Sequence, residues 1–298
     1  MTLLEDYQAD CQLRGIRYPK TSIYYIREFL DTLDAEPEDV SRADLKRYLA
    51  SLKSRGLKQS SIQKAFMYLA GFYDFLLDEE IITTNPIQPF RKRYLQVYKD
   101  QTAQDNRQLI SIEDAGRLVN STLDSRDKAI LILLFKTGMR AGEMLALDVG
   151  DVDMQKMEIR LKPTTKRSNR LLFFDLETEV VLSSWLQARK YRSVHGGDAL
   201  FPSKTNARLS IRALERNVAK HAARVGLHDP ASPLLEKRFT PHCARHWLTT
   251  WLYRAGMEER YIAWLRGDAP RGAMGPYVHI DENDVRKSYL AHIPQLGI

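Results

Sequence analysis

The chain has 298 residues, 44% of them hydrophobic and 28% charged, with a formal net charge of +7. At roughly 150 residues per domain this length suits two domains, and the apolar fraction is large enough to bury a core, which excludes disorder as the main state. The longest unbroken apolar run, Ala129 to Phe135, is far shorter than the roughly 18 residues of a membrane-spanning helix, so no membrane partner is expected.

The N-terminus, MTLLEDYQAD, has no basic-then-apolar leader, and two cysteines, Cys11 and Cys243, cannot build a disulfide framework. Both features point to the cytoplasm. Residues 1–100 carry 15 basic and 15 acidic side chains, so the whole positive excess falls in residues 101–298, with 30 against 23. Within the neutral part, residues 41–70 hold Arg42, Lys46, Arg47, Lys53, Arg55, Lys58 and Lys64 against one acid, Asp44. Clustered cations displace the counterions of a phosphate backbone, so this block is a candidate nucleic-acid face. A solvated surface is the competing reading.

Residues 1–80 read as four helices. Leu4, Tyr7 and Cys11 form one stripe, and Ile23, Ile26, Leu30 and Leu33 a second. Ser41 caps a third helix with Leu45, Tyr48, Leu49 and Leu52 on its apolar face, and Ser60 caps a fourth with Ile62, Phe66, Leu69, Tyr73 and Leu76. Pro86 and Pro89 close this region, and KDQTAQDNRQ (99–108) is the domain linker, giving domains 1–98 and 109–298.

The second domain opens with a Ser111-capped helix. Ala129–Phe135, apolar on every side, predicts a buried helix that stops at Thr137–Gly138. Residues 157–174 predict two strands around the basic turn PTTKRSNR, and helices follow at about 176–192, 209–224, 241–255 and 258–265. The fold class is therefore mainly α with a small β-sheet. The last stretch, DENDVRKSYLAHI, places Val285, Tyr289 and Leu290 at helical spacing, to pack on its own domain or on a neighbouring protomer.

Three segments carry chemistry. Thr240 and Pro241 start a helix in which Ala244, Trp247, Leu248, Trp251, Leu252 and Ala255 form an apolar stripe. His242 and Arg245, three residues apart, share its first turns, where free N–H groups favour an anion. A metalloprotease-type zinc helix would need glutamate at Cys243, so no metal is expected. Arg140 follows the buried helix, with Glu143 one turn on to orient it. The basic turn offers Lys166.

These segments resemble the tyrosine recombinase (phage integrase, Xer-like) family along most of the chain. TGMRAGEMLAL is similar to the family's TGxRxxExxxL, HCARH to HxxRH, and GPYVH to its terminal tyrosine box, with Tyr277 32 residues after Arg245. The resemblance implies a SAM-like helical core-binding domain and a catalytic domain. It implies Arg140, Lys166, His242, Arg245 and Tyr277 as catalytic residues, with Glu143, Asp268 and His279 in supporting positions. It further implies double-stranded DNA as partner, a homotetramer on synapsed DNA, action on the nucleoid, and a 3′-phosphotyrosyl intermediate formed without cofactor, metal or ATP.

Two positions depart from the pattern. Leu265-Arg266-Gly267-Asp268 stands where the family usually has LGH, a variant similar to archaeal members. A carboxylate there would repel the transition state, so Asp268 is expected to turn away and pair with Arg266 or Arg271. Lys166 lies four residues before Arg170 and Lys162 eight, which leaves two candidates for the family's lysine. Asp268 also motivates an alternative: a DNA-binding protein that keeps the fold without the chemistry.

Overall fold

The computed structural model describes residues 2–16, 20–34, 36–96, 108–163, 169–191, 198–232, 234–268 and 280–298. The chain forms two compact units, residues 1–103 and 104–298.

The first unit is helical: α1 (Leu3–Leu13), α2 (Lys20–Leu30), α3 (Arg42–Ser54), α4 (Gln59–Asp78) and α5 (Ile87–Tyr94). Its core is aromatic. Tyr7 meets Phe72 edge-on at 5.4 Å and Phe66 stacks on Phe90 at 5.4 Å. Ser41 caps α3 reciprocally: the Asp44 amide donates to its hydroxyl (3.3 Å) while its own amide donates to the Asp44 carboxylate (2.9 Å).

Three expectations change here. The cap position of α4 is Lys58, and Ser60 lies inside the first turn. In α2 the buried face is Ser22, Ile26 and Phe29, whereas Ile23, Leu30 and Leu33 are only partly buried, because the large Phe29 ring takes the central place in the core. Helix α5 was hidden by its prolines. Pro86 sits at its N-cap and Pro89 in its first turn, where no intrahelical N–H bond is needed, and the Asn85 side chain accepts from the Ile87 amide at 2.8 Å.

The second unit runs α6 (Ile112–Asn120), α7 (Ser125–Thr137), α8 (Ala141–Ala146), β1 (Val152–Asp153), β2 (Glu158–Arg160), β3 (Leu171–Phe173), α9 (Leu176–Lys190), α10 (Ile211–Arg224), α11 (Pro241–Arg254), α12 (Glu259–Arg266) and α13 (Glu282–His292). The strands form one antiparallel sheet in the order β1-β2-β3, with Val152 opposite Ile159 and Arg160 opposite Leu171. Strand β1, two residues long, is too short to leave a periodic signal.

Helix α7 is the axis of this unit, buried on all sides and packed against α9 and α11. Its ends are fixed by charge. At the N-terminal end Asp127 accepts from Arg126 (2.7 Å) and lies 3.0 Å from His221 on α10. At the other end the Lys136 ammonium, fully buried, donates to Asp175, Glu177 and the Pro294 carbonyl. Glu177 also accepts from the amides of Leu296, Gly297 and Ile298, so the C-terminal residues dock on their own unit. Val285 and Tyr289 of α13 are buried there, while Leu290 is exposed.

Candidate active site

Arg140 lies directly beyond the stop of α7. Gly138 holds a left-handed conformation (φ 57°), and an added Cβ would meet Leu248 Cδ2 at 3.0 Å, so this approach to α11 requires glycine. Arg140 then caps α8. Its amide donates to Glu143 Oε2 (2.7 Å) and its Nη1 to Glu143 Oε1 (2.9 Å), so one buried carboxylate fixes both the backbone and the guanidinium. The Arg140 side chain stays 37% exposed, accessible to an anion.

Arg245 is buried on α11. Its Nη1 donates to the Gly138 carbonyl (2.7 Å) and its Nη2 to the Arg266 carbonyl at the end of α12 (2.9 Å). One guanidinium thus ties the backbone two residues before Arg140 to the backbone two residues before Asp268. His242, one turn earlier, is exposed, so it and Arg245 differ in depth although they are close along the helix. The Cys243 thiol takes the capping-box place, 3.4 Å from the Thr240 amide. Of the expected apolar stripe, Trp251 is half-buried and Ala255, at the helix end, is exposed.

Asp268 partly follows expectation. Its Oδ2 lies 2.8 Å from Arg266 Nε, but it does not turn away, because Oδ1 is 3.9 Å from Arg245 Nη2. Lys162 is engaged elsewhere: its ammonium lies 2.9 Å from Asp151 and 3.1 Å from Asp148. The Asp151 hydrogen bond, followed by that of Asp148, raises its pKa and makes it a weaker acid. Lys166, Tyr277, His279 and Arg271 lie outside the described residues. Tyr289 is no rival nucleophile, since it is buried, donates to the Lys136 carbonyl (2.9 Å), and burial pushes its pKa up.

All seven cations of the 41–70 block are exposed. Arg47 pairs with Asp34 (2.9 Å) and Asp44 (3.2 Å), Arg55 pairs with Glu28, and Lys46 lies over the Tyr94 ring at 5.7 Å. A second basic stripe was missed: Arg212, Arg216 and Lys220, exposed at four-residue spacing along α10. No described carboxylate pairs with them. Their spacing is legible in IRALERNVAK, but Glu215 dilutes the local charge count.

Comparison with known proteins shows the family of the chain. Residues 101–283 match the phage integrase family, and residues 3–83 match the N-terminal SAM-like domain of phage integrases. The chain belongs to the phage integrase family and is a tyrosine recombinase of the Xer-like type. Among its relatives, tyrosine recombinase XerC of Herpetosiphon aurantiacus is 32% identical over 254 residues, covering 82% of this chain and 77% of that one. Tyrosine recombinase XerA of Saccharolobus solfataricus is 26% identical over 274 residues, covering 89% and 83%. In fold, the chain resembles the Tn1549 transposon integrase solved with circular intermediate DNA, with a TM-score of 0.71 at 19% identity over 96% of this chain and 98% of that one.

Proposed function

We propose that this recombinase breaks and rejoins double-stranded DNA at a specific site, with Tyr277 as nucleophile. The Tyr277 hydroxyl oxygen attacks phosphorus, the P–O5′ bond breaks, and a 3′-phosphotyrosyl bond remains. The tyrosine proton passes to His242, and the departing O5′ takes a proton from Lys166. The reverse attack by a 5′ hydroxyl restores the ester, so the cycle consumes no ATP. Charge on the non-bridging oxygens is met by Arg140 and Arg245 in place of a metal. A guanidinium has five donors, enough for Arg245 to hold two carbonyls and a phosphate oxygen together. The seven cations of residues 41–70 and the α10 stripe grip the duplex backbone. A homotetramer on synapsed DNA, acting on the nucleoid in the cytoplasm, completes the reading.

The observation that carries it is the tie between the two arginines. Arg140 is set on Glu143, and Arg245 bonds the Gly138 carbonyl immediately upstream. The test is trapping on a nicked suicide duplex bearing the native site, in chelator and without ATP. A covalent adduct is expected, absent in Tyr277→Phe and formed about 100- to 1000-fold more slowly in Arg140→Ala. An adduct that persists in Tyr277→Phe assigns the nucleophile elsewhere.

A further inference from the structure

Lys162 leaves β2 and is followed by Pro163, whose ring fixes the backbone. Its ammonium bridges two carboxylates, Asp151 Oδ1 at 2.9 Å and Asp148 Oδ2 at 3.1 Å. The Asp148 amide donates to Asp151 (2.8 Å), which holds that pair together. Asp148 also takes Arg208 Nη2 at 2.6 Å, and Arg208 Nη1 donates to the carbonyls of Leu145 (2.8 Å) and Leu147 (2.9 Å), where α8 ends. A continuous chain of polar contacts therefore runs from the helix that carries Glu143 to the residue two places before residues 164–168. On the return side, the Leu161 amide donates to the Arg170 carbonyl (2.7 Å), Arg170 Nε returns a bond to the Leu161 carbonyl (2.9 Å), and buried Asn169 donates to the carbonyls of Leu171 (2.6 Å) and Trp264 (3.2 Å).

Two cations and two carboxylates balance in this cluster, so it offers no net charge to DNA. A surface lysine needing only solubility would not be matched to two acids that are themselves tied to a helix end. We propose that Lys162 is a positioning residue for strand cleavage: held between Asp148 and Asp151, it sets the entry to the segment that carries Lys166 relative to α8. This rests on the reading of Lys166 as the leaving-group acid. The acid must meet the departing O5′ within hydrogen-bond reach, so a loosened entry slows the step in which P–O5′ breaks and O5′ takes its proton.

The experiment compares single-turnover cleavage of an ordinary suicide duplex with one bearing a 5′-bridging phosphorothiolate, whose sulfur leaves without a proton. Lys162→Met, at a side chain 41% exposed, is expected to keep the parental urea unfolding midpoint, which is checked first. It is expected to slow the oxygen substrate about 30-fold, less than full loss of a general acid, and to cut the thiolate at near the parental rate, as does Lys166→Ala. Lys162→Arg, which keeps the charge between the carboxylates, is expected to recover most of the oxygen rate. Normal oxygen cleavage by Lys162→Met overturns the proposal. So does an equal defect on both substrates while Lys166→Ala is rescued, which leaves the Lys166 assignment standing. If neither variant is rescued, the Lys166 assignment fails and the positioning role fails with it. If Lys162→Met is rescued but Lys162→Arg is as slow as Lys162→Met on oxygen, Lys162 itself donates the proton.

Discussion

In residues 1–103 the core consists of rings and aliphatic side chains, and among the described residues its one buried polar side chain outside the tyrosines is Ser22. Among the described residues, 104–298 bury seven acidic, basic or histidine side chains: Arg126, Asp127, Lys136, Glu143, Asp175, His221 and Arg245. Burying an unpaired charge is strongly unfavourable, so each has to be matched, and matched groups give direction that an apolar contact does not. The charges are not scattered. Arg126, Asp127 and Lys136 fix the two ends of α7, the helix that delivers Arg140, while Glu143 and Arg245 hold the delivered segment. The first unit is thus held by area, and the second spends part of its stability on placing an arginine pair.

The largest expected effect breaks this contrast at Lys136. Lys136→Met fills the space but leaves Asp175 and Glu177 facing each other without their cation. Removing one partner of a buried ion pair destabilises by about 3–5 kcal/mol. All four tryptophans lie in the second unit, so tryptophan emission during urea unfolding reports that unit alone. The emission midpoint should fall sharply, while the part of the far-ultraviolet circular dichroism belonging to the first unit holds. An unchanged emission midpoint would show the buried cation to be dispensable.

Acid should separate the units next. Burial pushes the carboxyls of Asp127 and Glu177 up, but the bonds they accept outweigh it: His221 and Arg126 for Asp127, the Leu296 amide and Lys136 for Glu177. Both end below their ordinary values of 3.8 and 4.5. A carboxyl lowered in the folded state adds stability that is complete above its unfolded value and is lost as pH falls through the folded one. Tryptophan emission should therefore shift to the red as pH drops below about 4.5, before helicity of the whole chain is lost. Simultaneous loss of both signals, or emission that stays constant to strong acid, would contradict the contrast.

What could be read in advance follows the range of the interaction. Helices such as α4 and α7 appear as periodic or continuous apolar runs, and the Arg140–Glu143 pair lies within one turn, so both are legible locally. Helix α5 was obscured because its prolines look like a boundary unless their place in the first turn is known. The tie from Arg245 to Gly138 spans 107 residues and ends on a backbone carbonyl, which has no residue-type signature. Lys136 reads as an ordinary cation at a helix C-terminus, and only the approach of Asp175, Glu177 and Pro294 from distant segments makes it a buried hub. Long-range contacts to the main chain are what the sequence conceals.

The smallest expected effect asks whether the charge of the first unit, kept out of its core among the described residues, is available to DNA. Lys53 and Arg47 are both exposed on α3, but Arg47 already lies against Asp34 and Asp44, whereas no described carboxylate pairs with Lys53. An exposed ion pair is worth little to stability, about 0–1 kcal/mol, yet it still competes with a phosphate for the cation. A lysine that displaces one counterion contributes about 0.9 to the slope of log K against log salt concentration. Lys53→Gln should therefore lower that slope by nearly one, and Arg47→Gln by less than half as much, with folding unchanged in both. Binding isotherms on the native site at about 50–200 mM salt measure the difference. Equal slopes would mean that Arg47 leaves its acids for the phosphate on binding. No change in either variant would mean that Lys53 and Arg47 are solvated surface, and that the duplex is gripped elsewhere, with the α10 stripe the next basic surface to test.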